Sequence, residues 1–142
     1  LTDEEFAIIK KHPALGAELL KIAPSLYEKF RDTTLGHHKW YNGKGGYPKD
    51  FDNTKSPKRI LIDIITLSDC MQAATERIGR NYKSGKNFDR VMEEFRRDAG
   101  TRYNPDLVNF IDSHQDVAHD LAALINEGWV DIYFDIYSRF MR

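Results

Sequence analysis

Apolar residues recur three and four positions apart in segment after segment of this chain, and that spacing predicts helices. Thr2 followed by Asp3, Glu4 and Glu5 forms a capping box with acidic residues at the positive end of a helix dipole, so a first helix is expected to start almost at Leu1. Pro13 opens a second helix carrying Leu15, Leu19, Leu20 and Ile22. Pro24 opens a third, carrying Leu26, Tyr27 and Phe30 toward His37. From Trp40 to Ser56 the periodicity gives way to a loop of Gly, Lys, Asn and aromatic residues. It is longer than most connections between helices, which marks it as a functional candidate. The longest helix is predicted over about 57–77, where Ile60, Leu61, Ile64, Ile65, Leu67 and Met71 keep helical spacing, and it is expected to be the central core helix. After the loop IGRNYKSGKN, a helix over about 88–98 is stopped by Gly100, and Asn104 with Pro105 opens the next. Two more are expected near 115–126 and 129–141. No segment shows clean two-residue alternation bounded by turns, and no internal repeat or low-complexity tract is present, so the expected fold is all-α, a helical bundle.

Composition narrows this picture without changing it. A chain of 142 residues, 41% hydrophobic and 30% charged, is long enough for one domain with its own core. The formal net charge of −1 provides no global field to hold nucleic acid or an anionic membrane, so an anionic ligand would have to meet charge gathered in a pocket. The single cysteine, Cys70, rules out an internal disulfide and fits a reducing cytosol; its apolar setting, LSDCMQAA, predicts a packed thiol. No basic, apolar leader and no run of 18 apolar residues is seen, which makes a soluble cytoplasmic protein the expectation.

Four features could carry chemistry: His12 in the HPALG turn, the pair His37 and His38, the GKGGYP loop, and Asp69 inside an apolar helix. Each has a plain structural reading. A histidine before a proline is often only a helix-boundary residue, and histidines near a helix C-terminus interact well with the dipole. Adjacent helical residues diverge by about 100°, so His37 and His38 would serve two neighbouring ions more easily than one. Asp69 shares a stripe with Ile62, Ile65, Thr66 and Ala73 and is expected to face the interior, where a carboxylate needs a metal, an arginine or a donor network. Asp63, about 600° of helix rotation earlier, is expected to be solvated. The loop KWYNGKGGYPKDFDNTKSP is either an ordinary surface loop or one whose glycines, lysines and aromatics approach phosphates and stack on a base.

In order and spacing, EEFAIIKKHPALGAELL, HHKWYNGKGGYP, LSDCMQAATERIGRNYK and AGTRYNPDLVNFI resemble the successive landmarks of the HD-GYP branch of the HD phosphohydrolase superfamily, over about residues 1–111. Residues 112–142 then read as additional C-terminal helices of the same domain. The resemblance implies that His12, His37, His38 and Asp69 are metal ligands in a site of two divalent ions, iron or manganese more often than zinc. It implies that Arg80 and Lys83, of the R-x-Y-K segment, lie near substrate phosphates, and that Gly46, Tyr47 and Pro48 form a loop shaping the substrate site and meeting a partner signalling domain. The implied activity is hydrolysis of cyclic dimeric GMP. Two ions would bridge a water, lower its pKa and clamp the scissile phosphate for in-line attack.

Departures from the pattern are equally legible. Lys39 stands where the family has glutamate, Asn42 where it has aspartate, and one glycine is added at Gly45 or Gly46, which puts cyclic dimeric GMP specificity in doubt. The superfamily's His-Asp dyad belongs upstream of Leu1. The chain is therefore expected to be a cut piece of a longer protein, with too few ligands for two octahedral ions and little or no phosphodiesterase activity of its own. Apolar surface left at the cut makes a homodimer a further expectation. Two alternatives remain open: an HD-type hydrolase of another nucleotide or phosphate ester, and a non-catalytic signalling module.

Overall fold

Local signals in the sequence set the helix boundaries. A computed structural model describes residues 2–76, 85–125 and 129–141, and among these no β-strand occurs. In chain order the helices are α1 (Asp3–Ile9), α2 (His12–Leu20), α3 (Pro24–Gly36), α4 (Arg59–Thr75), α5 (Phe88–Asp98), α6 (Pro105–Ser113), α7 (Gln115–Ala123) and α8 (Trp129–Phe140), with a short 3-10 turn at Asn53–Lys55. The capping box forms as the sequence predicts: Glu5 N–H donates to Thr2 Oγ1 at 3.2 Å and Thr2 N–H to Glu5 Oε2 at 2.7 Å. Prolines occupy the first turns of α2 and α3, where a missing N–H costs nothing. The all-α expectation holds. No described helix is long and apolar enough to cross a membrane.

The chain divides into two units, Leu1–Asp69 with Asp98–Asn104, and Cys70–Arg97 with Pro105–Arg142. In the first unit, α2 and α3 meet through small residues. Pro13, Ala17, Thr33 and Gly36 are buried, and a Cβ on Gly16 would come within 2.9 Å of Thr34 Cγ2. Close approach through small side chains leaves the large ones outside, so Leu15, Leu19, Ile22, Leu26 and Phe30 are exposed. The periodicity located these helices correctly but not their contact face. The end of α3 rests against α4 at Ile62, which is fully buried and would touch a Cβ on Gly36.

Helix α4 differs from expectation in its rotation. Its buried stripe runs through Ile62, Asp63, Thr66 and Leu67, while Ile60, Leu61, Ile64 and Ile65 are exposed. Asp63, expected to be solvated, is 6% exposed. Asp69, expected inside, sits at the stripe's edge with its side chain 40% exposed. The reason is polar satisfaction. Arg59 Nε lies 3.2 Å from both Asp63 oxygens and Asn104 Nδ2 donates to Asp63 Oδ2 at 2.9 Å, so this carboxylate finds the partners that burial demands.

In the second unit the core comprises Met71, Val91, Met92, Phe95, Val108 and Ile111. Cys70, expected to be a packed thiol, is only half-buried. Helices α5 and α6 are joined by a bidentate pair: Arg96 Nε donates to Asp112 Oδ2 at 2.9 Å and Nη2 to Oδ1 at 2.6 Å. The Arg96 hydrogen bond holds the Asp112 carboxyl below the usual carboxylate range. A depressed pKa in the folded state stabilises above the unfolded value and loses that contribution as the pH falls through the folded one. Asp112→Asn is therefore expected to cost about 0.5–1 kcal/mol at neutral pH, given the pair's exposure. Denaturant titrations should show the difference from wild type shrinking as the pH drops below the ordinary carboxylate range.

Candidate metal centre

Three imidazoles converge within the first unit. His12 opens α2, and its Nδ1–H donates to the Ile9 carbonyl at 2.8 Å. His37 caps the C-terminus of α3, and its Nδ1–H donates to the Thr34 carbonyl at 2.8 Å, satisfying a carbonyl that the helix end would leave free. These bonds fix the tautomers of both rings and leave Nε2 bare. The bare nitrogens face each other: His12 Nε2 lies 2.9 Å from His37 Nε2 and 3.1 Å from His38 Nε2. Ligand atoms of the three residues all lie within 4.8 Å of one another.

The separation of His37 and His38 expected from helical geometry is not found. Helix α3 ends at Gly36, so the 100° step no longer governs the next two residues, and both rings turn toward His12. One three-nitrogen cluster results. Asp69 Oδ2 lies 3.8 Å from His38 Nδ1, beside the cluster on the side away from Nε2. Among the described residues these four are brought together. Arg80 and Lys83 lie outside the described residues.

The donor set fits a metal ion. With two Nδ1 atoms committed to carbonyls, lone pairs opposed at this distance need a cation or a shared proton between them. Unprotonated imidazole nitrogens gathered this closely are donors that a divalent cation would accept. Burial pushes the His37 imidazole below its usual pKa, partly opposed by the Thr34 carbonyl. Burial first, and the neighbouring His37 second, push His38 down to about 4. Both rings are neutral at neutral pH, the form that binds metal.

The GKGGYP loop folds back onto this cluster. Tyr47 N–H donates to the His38 carbonyl at 3.2 Å, and the Tyr47 ring stacks on the His38 ring with centroids 4.5 Å apart. The bond is reached because Gly46 adopts φ +79° and lies so close that an added Cβ would stand 2.0 Å from the His38 carbonyl oxygen. Pro48 follows through a cis peptide. Gly45 lies flat on the Trp40 indole, where a Cβ would come within 2.3 Å of the ring. The two adjacent glycines therefore answer separate steric demands. Asn42 has a local structural role, its side chain accepting from Lys44 N–H at 2.9 Å, and Lys39 is buried in an isolated bridge with Gly46. What the sequence reading missed is the support beneath the loop, formed by Arg59, Asp63, Asn104 and Asn53. The i,i+4 spacing of Arg59 and Asp63 was its one visible sign.

Gly46→Ala is expected to destabilise the protein by at least about 1–2 kcal/mol from the left-handed backbone alone. The contact with His38 O should add to that and lift Tyr47 from the His38 ring. Thermal unfolding and the His38 ring proton shifts measure the two effects.

No family model matches the chain. Among curated proteins, it is 30% identical over 109 residues to a cyclic di-GMP phosphodiesterase of Thermotoga maritima, covering 76% of this chain and 28% of that protein. It is 29% identical over 114 residues to a cyclic di-GMP phosphodiesterase of Vibrio cholerae, covering 76% of this chain and 22% of the relative. A 3'3'-cGAMP-specific phosphodiesterase 2 of the same organism is 27% identical over 117 residues, covering 82% and 22%. The chain thus spans about a quarter of the length of the curated relatives it matches. With its helices and ordered motifs, the chain is similar to one part of these cyclic-dinucleotide phosphodiesterases.

Proposed function

We propose that this chain carries the histidine side of a metal centre that hydrolyses a phosphodiester bond of a cyclic dinucleotide, as the names of its relatives suggest. The observation that carries this reading is the convergence of three Nε2 atoms whose partner nitrogens are already tied to carbonyls or set beside a carboxylate. A bound divalent metal, iron or manganese by resemblance, would supply Lewis acidity toward the phosphoryl oxygen and activation of water. His12, His37 and His38 would hold it. Asp69 completes the set, either as a ligand or by orienting His38 through Nδ1. Tyr47, held face to face with His38, borders the place where a substrate would approach. Arg80 and Lys83 are assigned by resemblance to neutralise phosphate charge.

Cyclic dimeric GMP is the first substrate to test, and other cyclic dinucleotides the second, since one relative is named for 3'3'-cGAMP. Asn42 builds its own turn and Lys39 is buried, so both departures have structural work in the loop's base and neither points to a different substrate. Three imidazoles and one carboxylate are few donors for two octahedral ions, so the 142-residue chain by itself is expected to turn over little substrate.

The test uses the full-length protein, with bound metal and hydrolysis of cyclic dinucleotides measured together. His37→Ala is expected to lower both bound metal and turnover by roughly a hundredfold. Wild-type protein that binds divalent metal yet hydrolyses other nucleotides and no cyclic dinucleotide would move the assignment to a different HD-type hydrolase. Wild-type protein that binds no divalent metal would favour a non-catalytic signalling module.

A further inference from the structure

The buried carboxylate of Asp63 lies on the α4 stripe that also contacts the end of α3, yet it touches none of the three histidines. Its bonds run to the loop instead. Arg59, held through Nε by both Asp63 oxygens, turns its Nη2 to the Tyr41 carbonyl, and its guanidinium lies 4.5 Å from the centre of the Tyr41 ring. Asn104 Nδ2 donates to Asp63 Oδ2 at 2.9 Å, and the segment containing Asn104 reaches the same stretch of loop through its backbone. Tyr41 N–H donates to the Arg102 carbonyl and Asn42 N–H to the Thr101 carbonyl, both at 3.0 Å. The fully buried Asn53 adds a bond from Nδ2 to the Trp40 carbonyl at 3.1 Å.

Trp40 and Tyr41 follow His38 by two and three residues, and the far end of the same loop returns to His38 through Tyr47. A loop anchored just after His38 at one end and stacked on its imidazole at the other limits that ring's rotation, as a hydrogen-bonded outer shell limits the rings around a metal. A buried, fully bonded carboxylate is a rigid base for such a loop, because leaving it without partners would be costly.

We propose that Asp63, acting through Arg59 and the Tyr41 carbonyl, is a positioning residue for His38 in the metal centre. This rests on the metal-centre reading above. Its effect is on the loop's geometry and on metal affinity, not on substrate contact.

The experiment compares full-length wild type, Asp63→Asn and Arg59→Lys. Manganese affinity is measured by calorimetry, and amide hydrogen exchange on the metal-free proteins. Arg59→Lys keeps a cation beside Asp63 and loses the second N–H that reaches Tyr41, so it decides the matter should Asp63→Asn fail to fold. The expected result is a 10–100-fold weaker manganese affinity in folded variant protein. Exchange should be faster at the Tyr41, Asn42 and Tyr47 amides and unchanged at amides within α2. Unchanged affinity with unchanged exchange at those three amides overturns the proposal, as does a loss of protection spread evenly over all helices, which marks a purely structural role. Wild type that binds no manganese sinks the metal-centre reading instead. The exchange rates then decide by themselves whether Asp63 holds the loop.

Discussion

Bare ring nitrogens opposed across 2.9 Å repel, and the arrangement around His12, His37 and His38 is organised by that repulsion. Backbone carbonyls claim the Nδ1 protons of His12 and His37, so neither ring can relieve the conflict by changing tautomer without breaking a hydrogen bond. Burial of His37 and His38 makes a proton an unfavourable mediator. In the proposed centre a cation would take that place, between rings held by the helix ends and by the loop stacked on His38.

Helix boundaries were legible because each is written in local chemistry. Thr2 with Glu5, Pro13, Pro24 and Pro105 act over one turn, and no tertiary contact overrides them. The face each helix buries was less legible. On α4 the apolar count favours the side bearing Ile60, Ile64 and Ile65, yet the buried stripe includes Asp63, because Arg59 and Asn104 are available to it. Asn104 is 41 positions away, and no periodicity along α4 could announce it. The same holds for α2 and α3, where Gly16 meets Thr34 closely while Leu15, Leu19 and Leu26 stay exposed.

Within the site, the ordered motifs pointed to the histidines, while their mutual geometry depended on where α3 stops. Ending at Gly36 frees both rings to turn to the same point, and the glycine is needed there for a second reason, since Phe51 and Ile62 leave no room for a side chain. Gly36 thus closes α3 as a packing contact against Phe51 and Ile62.

The contact between Gly16 and Thr34 reaches further than its size suggests. His12 stands one turn before Gly16 and His37 one turn after Thr33, so in the proposed metal centre the thickness of that steric stop would bear on the spacing of the opposed nitrogens. Tuning this centre toward a larger or smaller ion would not require new donors. It would proceed through methyl groups at a helix crossing that carries no ligand at all.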